Sequence, residues 1–117
     1  MVEESIVKSV RSYLKAVQLR GIAVKFGVIF GSNATGEANE NSDIDLIVVS
    51  PEFDNDRQRE DVDTLWRVAA RTDNRVEPIA CGEKQWVEDD GSEIIEVARR
   101  TGQLITVGDE NQDLTTQ

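Results

Sequence analysis

Residues 42–50 read SDIDLIVVS, so two acids, Asp43 and Asp45, run directly into a continuous apolar segment. Such a segment is typical of a strand that is buried on both faces, and Ser50-Pro51 ends it. Because residues two apart on a strand project to the same side, the two acids should share a face with their Cα atoms about 6.5 to 7 Å apart. Two carboxylates held there repel and raise each other's pKa unless a cation lies between them. Mg²⁺ is the expected cation, since it prefers carboxylate, water and phosphate oxygens.

A third acid, Glu77, lies in a second apolar segment, residues 75–81, which we predict to be a strand. Pro78 favours an edge position for this strand, because proline cannot donate to a neighbouring strand. If the strand is a neighbour of residues 44–49, about 4.8 Å away, Glu77 supplies a further carboxylate oxygen. Three acids at one sheet edge can hold two metal ions about 3.5 to 4 Å apart, the spacing used for in-line phosphoryl or nucleotidyl displacement.

A glycine and a serine precede these acids at the end of an earlier predicted strand, residues 22–30. Within that strand the alternation of apolar residues predicts one shared face for Val24, Phe26, Val28 and Phe30. Gly31 ends the strand and allows close backbone approach, while Ser32 and free N–H groups can donate to phosphates. The gap to Gly36 matches a P-loop, but Glu37-Ala38 stands where Lys-Ser/Thr is required, which argues against a Walker-type NTPase.

The remaining periodicity predicts one α/β domain of order α-β-(α)-β-α-β-α. Helices are expected over residues 2–20, 56–72 and 90–102, the last with Asp90 as its N-cap, and a short strand over 103–107. The loop from residue 32 to 42 is expected to contain at most one helical turn. We assign residues 1–107 to the domain and predict a disordered tail over 108–117.

The charge balance is strongly acidic: 13 Lys and Arg oppose 23 Asp and Glu in 117 residues, for a net charge of -10. This balance predicts no stable nucleic-acid binding by the domain alone and no attachment to a membrane, and it suits a cation or a basic partner. The absence of His excludes His-ligated zinc and a His general base. One cysteine, no long apolar run and no visible signal peptide lead us to expect a cytoplasmic protein.

Several other candidate residues have a simpler structural interpretation. The pairs Asp54/Asp56 and Asp61/Asp63 fall in a polar loop and in the first turns of a helix, where acids are structural or solvated. Trp66 stands at core spacing with Leu65 and Ala69, and the helix after it is expected to bury Ile94, Ile95, Val97 and Ala98. Trp86 lies near a loop and is open to either burial or a partner, and Cys81 is expected to be buried.

The spacing Gly31-Ser32, ten residues, then Asp43-Ile44-Asp45 matches the Gly-Ser-x10-Asp-x-Asp signature of the nucleotidyltransferase fold. Over about residues 5–107 the sequence resembles the minimal nucleotidyltransferases, single-domain relatives of DNA polymerase beta and kanamycin nucleotidyltransferase. Residues 76–79 resemble the strand that bears the family's third acid. The resemblance implies a small mixed sheet flanked by helices.

The resemblance also implies an Mg²⁺-dependent nucleotidyltransferase with two metal ions and a nucleoside triphosphate, ATP being expected. Asp43, Asp45 and Glu77 would then be catalytic and metal-binding, and Gly31 and Ser32 nucleotide-binding. NMP, expected to be AMP, passes to an acceptor hydroxyl with release of pyrophosphate. Minimal domains of this family often pair with a HEPN protein, an RNase toxin that they neutralise as its antitoxin by adding AMP. A homo-oligomer is left open.

The sequence departs from the family pattern in two places. Residues 33–36 are Asn-Ala-Thr-Gly, without the basic residue that often follows Gly-Ser, and Glu77 stands where Asp is frequent. The lost charge weakens triphosphate binding unless Lys25, Arg71 or Arg75 reaches the site. An alternative function is therefore a binding module that keeps the fold, lacks useful turnover and acts as antitoxin or scaffold by contact alone.

Overall fold

The structure, a computed structural model, describes residues 2–31, 34, 43–54, 58–88 and 91–107, with Gln58 and Arg59 described by backbone alone. Within these ranges the helices are α1 (Glu4–Leu19), α2 (Gln58–Thr72), α3 (Glu83–Glu88) and α4 (Glu93–Thr101). The strands are β1 (Phe26–Phe30), β2 (Ile44–Ser50), β3 (Val76–Gly82) and β4 (Gln103–Thr106), and a 3₁₀ turn (Pro51–Asp54) follows β2. Over the described residues the predicted element order is confirmed, with α3 added, whereas the helical turn expected in the loop of residues 32–42 falls, apart from Ala34, outside them. The predicted tail, 108–117, lies outside the described residues.

The four strands form one mixed sheet in the order β3-β2-β1-β4. β1 is antiparallel to both β2 and β4, whereas β2 and β3 are parallel. The parallel pair is joined by a crossover through α2, as parallel neighbours require. β3 stands at an edge of the described sheet, so the edge position that Pro78 predicted is confirmed. The small mixed sheet flanked by helices, which the resemblance implied, is therefore confirmed.

Strand alternation divides the core into two layers. On one face of the sheet, α1 and α2 pack their apolar stripes, including Leu14 and Leu65, against Ile29, Leu46 and Val48. The Tyr13 hydroxyl joins these two helices by donating to the Leu65 carbonyl at 2.9 Å. On the opposite face, α4 packs against residues that alternate with the first set, namely Val28, Ile47, Val49 and Cys81. β2 is therefore buried on both faces and Cys81 is buried, both as predicted.

Two element boundaries differ from prediction. β1 begins at Phe26 rather than Ile22, because the antiparallel ladder begins only where Lys25 N–H donates to the Val49 carbonyl at 2.8 Å. The N-cap of α4 is Ser92, whose hydroxyl accepts from the Ile95 N–H at 3.4 Å. Asp90, the predicted cap, lies outside the described residues, as does the predicted start of α2 at residue 56.

Three residues expected in the core are exposed. Trp66 is 48% exposed because the buried side of α2 runs through Leu65, Val68 and Ala69. Ile94 and Val97 are 46% and 37% exposed, since α4 buries only a narrow stripe containing Ile95 and Ala98. Over the described residues, none of the helices has the length and apolar character needed to cross a bilayer.

Candidate active site

The sheet register brings the predicted acids together. Asp45 is the register partner of Glu77 across the parallel β2–β3 pair, and of Phe30 across the antiparallel β1–β2 pair. Asp43 directly precedes β2, two residues before Asp45, so alternation places both on one side of the strand. We call Asp43, Asp45 and Glu77 the carboxylate cluster. It lies on the face of the sheet opposite α1 and α2, because the intervening Ile44 and Leu46 are buried with those helices.

The carboxylate cluster concentrates negative charge. A hydrogen bond with the Asp43 side chain raises the pKa of Glu77, and burial and the charges of Asp43 and Asp45 raise it further. Burial, and then the charge of Asp43, raises the pKa of Asp45. Two carboxyl groups share a hydrogen bond only when one is protonated. A cation between them would remove that requirement and relieve the repulsion.

The cluster fits a divalent cation by its donor chemistry. Three carboxylates offer only oxygen ligands, the type that Mg²⁺ takes together with water and substrate phosphates. In the part of the chain that the structure describes, no three acidic, Cys or His side chains are arranged as a ready-made metal cage. Glu77 and Asp43 instead contact each other. Metal binding would therefore replace a carboxyl–carboxyl contact by carboxylate–metal contacts, with remaining ligands from water and the triphosphate.

Gly31 has the geometry expected of a glycine beside this cluster. Its φ of +77° lies in the left-handed region, which glycine adopts without steric cost. A Cβ atom built there would collide with Oδ2 of Asp45 and lie 3.4 Å from its Cγ. The Ala34 N–H donates to the Gly31 carbonyl at 3.0 Å. Ser32, the other predicted phosphate-binding residue, lies outside the described residues.

Two of the basic side chains considered for the triphosphate have other partners. Lys25 lies just before the first residue of β1, at the end of the strand away from the carboxylate cluster. Its Nζ is 3.6 Å from the Glu83 carboxylate. Arg75 is held by Asp73, with Nη2 2.7 Å from Oδ2. Arg71 is exposed in the last turn of α2.

Among the other predicted candidates, Asp54, Asp61 and Trp86 have structural positions, Asp63 is exposed, and Asp56 lies outside the described residues. Asp54 accepts from the Lys84 N–H at 3.0 Å and so caps the start of α3. Asp61 is buried in the first turn of α2. Trp86 packs edge-on against Phe26, with ring centroids 5.8 Å apart, and the Arg99 guanidinium lies over its ring. These contacts assign Trp86 to packing against the second core layer.

Comparisons with known proteins agree with this architecture. The family model described as "Nucleotidyltransferase domain" matches residues 7–103. A candidate nucleotidyltransferase from Sulfolobus solfataricus superposes with a TM-score of 0.54 at 20% identity, over 84% of this chain and 77% of that one. A crystal structure of a toxin-antitoxin with AMP-PNP gives a TM-score of 0.53 at 19% identity, over 89% of this chain and 78% of that one.

These structural matches support the fold, whereas comparison with curated proteins gave no match. The family assignment therefore rests on the family model, which spans most of the chain and includes Gly31 and the whole carboxylate cluster. The chain belongs to the nucleotidyltransferase domain family.

Proposed function

We propose that this domain transfers a nucleoside monophosphate, AMP from ATP, to an acceptor hydroxyl in an Mg²⁺-dependent reaction. The observation that carries the proposal is the register pairing of Asp45 with Glu77, with Asp43 hydrogen-bonded to Glu77. Three acids contributed by two strands therefore meet at one end of the sheet. A cluster of that kind is suited to binding cations that accompany a triphosphate.

Asp43, Asp45 and Glu77 would hold two Mg²⁺ ions, which when bound neutralise charge on the triphosphate. Gly31 would leave room for a phosphate near Asp45, and the Ser32 hydroxyl would donate hydrogen bonds to the β- and γ-phosphates. Glu77 orients the acceptor hydroxyl and takes its proton. The acceptor oxygen bonds to the α-phosphorus as the bond to the bridging oxygen breaks, so pyrophosphate leaves with that electron pair.

The acceptor is proposed to be a protein partner of the HEPN type, with this domain, residues 1–107, as its antitoxin in the cytoplasm. One structural neighbour is a toxin-antitoxin with AMP-PNP, which supports a toxin as the partner and an adenine nucleotide as the substrate. The net charge of -10 suits a basic partner surface.

The direct test is incubation with Mg²⁺ or Mn²⁺ and each α-³²P-labelled nucleoside triphosphate, with and without the protein encoded by the adjacent gene. The double variant Asp43→Asn/Asp45→Asn should lose transfer. Glu60→Gln/Asp63→Asn is the matched control, because it removes the same charge from exposed positions of α2 and should retain transfer. Equal transfer by both double variants would refute the assignment of the carboxylate cluster.

A contact-only antitoxin is the second candidate. The observation that favours it is the absence of a basic residue after Ser32, together with the engagement of Lys25 by Glu83 and of Arg75 by Asp73. This function predicts that Asp43→Asn/Asp45→Asn leaves both partner binding and protection from the toxin intact. Loss of protection with partner binding retained would exclude it and support catalysis.

A further inference from the structure

A short turn between α2 and β3 holds one end of the carboxylate cluster. Asp73, the residue after α2, accepts from the Arg75 N–H at 3.0 Å through Oδ1, an Asx turn. Its two carboxylate oxygens also accept from the Arg75 guanidinium, from Nε at 3.0 Å and from Nη2 at 2.7 Å. The Ser9 hydroxyl of α1 donates to the same carboxylate. Asp73 therefore ties α1, the end of α2 and the beginning of β3 together.

The same turn fixes the peptide unit between Arg75 and Val76, which is hydrogen-bonded to the residue between Asp43 and Asp45. The Val76 N–H donates to the Asp73 carbonyl at 3.0 Å, and the carbonyl at the other side of that peptide unit, from Arg75, accepts from the Ile44 N–H at 2.8 Å. Because a peptide unit is planar, fixing its N–H also fixes the direction of its C=O. Ile44 is the residue between Asp43 and Asp45.

Glu77 comes two residues after Arg75 along β3, so its position also depends on this turn. Its register against Asp45 depends on where β3 begins relative to β2, and the Arg75–Ile44 hydrogen bond is the contact that precedes the paired region at that end. All three acids thus lie on segments that are hydrogen-bonded to, or continuous with, one turn.

We propose that Asp73 is a positioning residue, which acts through Arg75 to hold Asp43, Asp45 and Glu77 in the arrangement that binds metal. This role rests on the proposed function, because that function requires the carboxylate cluster to bind a metal. Residues that orient metal ligands from outside commonly change metal affinity or activity 10- to 100-fold when they are replaced. A turn with a purely structural role would change the stability of the fold and leave metal affinity unaltered.

The first measurement is amide hydrogen exchange of the full chain, which reports local opening at single hydrogen bonds. Asp73→Ala should speed exchange of the Ile44 N–H by about tenfold, because the turn opens more readily once the hydrogen bonds to Asp73 are lost. The control amide is that of Lys25, which donates to Val49 at the other end of β2 over the same 2.8 Å. Equal acceleration at both amides would mean general destabilisation and would overturn the proposal.

The second measurement is Mn²⁺ binding, followed by electron paramagnetic resonance with a non-hydrolysable ATP analogue present. Asp73→Ala should weaken Mn²⁺ binding about tenfold. Asp73→Asn, which keeps an oxygen for the Arg75 N–H, should weaken it less, and it carries the test if the alanine variant does not fold. Tyr13→Phe is the stability control, since it removes a buried hydrogen bond on the other face of the sheet.

The outcomes separate the two proposals. Tight Mn²⁺ binding by wild type, with weakening in the Asp73 variants and none in Tyr13→Phe, supports the positioning role. Unchanged affinity in the Asp73 variants overturns that role and leaves the proposed nucleotidyl transfer standing. Failure of wild type to bind Mn²⁺ refutes the metal-dependent function and removes the positioning role with it.

Discussion

Gly31→Ala should separate stability from function, because the chain contains a second glycine that serves as its control. Gly31 and Gly21 both have positive φ, +77° and +97°. An added Cβ meets no atom within 4 Å at Gly21, whereas at Gly31 it meets the Asp45 carboxylate. The two alanine variants thus share one backbone penalty and differ in their contact with the carboxylate cluster.

The backbone penalty for an L-residue in the left-handed region is about 1 to 2 kcal/mol. The additional clash at Gly31 involves the far end of a short side chain, which can rotate away. The stability loss in Gly31→Ala should therefore stay close to that in Gly21→Ala. Rotation of the Asp45 carboxylate, however, moves a proposed metal ligand, and misplacement of a catalytic group by about 1 Å can cost about 100-fold in rate.

The assay pairs urea unfolding with nucleotidyl transfer at saturating Mg²⁺ on the same protein samples. Both variants should unfold at similarly lowered urea concentrations, while transfer falls at least tenfold in Gly31→Ala and stays within about twofold of wild type in Gly21→Ala. Equal transfer by the two variants would refute the assignment of Gly31 as the residue that makes room beside Asp45.

Three further predictions concern stability. Tyr13→Phe should lower the free energy of unfolding by about 1 kcal/mol through loss of the bond to Leu65, and an unchanged urea midpoint would contradict this. Hydrogen bonds from the Arg75 side chain hold the pKa of Asp73 below its ordinary value, so the stabilisation that Asp73 gives exists above about pH 4 and is lost as pH falls through that lowered pKa. Asp73→Asn should then be less stable than wild type at pH 7, by about 1 to 2 kcal/mol, and the difference should shrink as pH falls below about 4, as urea unfolding across that range would show. Burial and a like charge raise the pKa of Asp45, so its ionisation opposes folding at neutral pH. Asp45→Asn should therefore raise the free energy of unfolding at pH 7 by about 0.5 kcal/mol, with no gain near pH 2, and a loss at pH 7 would contradict the sign.

The sequence was sufficient to identify the candidate acids, because the signals for each strand are local. Period-two alternation puts Asp43 and Asp45 on one side of β2, and Pro78 identifies β3 as an edge strand. The pairing of Asp45 with Glu77 is different, because it joins residues on strands connected through the whole of α2. That register depends on helix length and on the turn at Asp73, neither of which alternation can specify.

For the helices, the sequence predicts the element but not which of its sides is buried. Helical periodicity identifies α2 and α4, but which side is buried depends on the surface beneath, and so Trp66 and Ile94 were wrongly placed in the core. α3 was missed because six residues are too few for a periodic signal. Its start is capped by Asp54, thirty residues earlier in the chain, so the stabilising contact was not visible locally.

Two groups of acids in the described part of the chain differ in what faces them. Asp54, Asp73 and Glu52 accept hydrogen bonds from backbone N–H groups, and each of these contacts holds a turn or a helix end. Asp43, Asp45 and Glu77 face one another, and their mutual repulsion and burial oppose ionisation of Asp45 and Glu77. Repulsion within this cluster lowers the stability of the metal-free fold at neutral pH, so a contribution to stability does not explain why the three acids lie together. Binding of cations would convert the same repulsion into affinity. The carboxylate cluster, which destabilises the metal-free fold, lies beside a glycine in a left-handed conformation. A triphosphate and its metal ions are therefore expected to bind there.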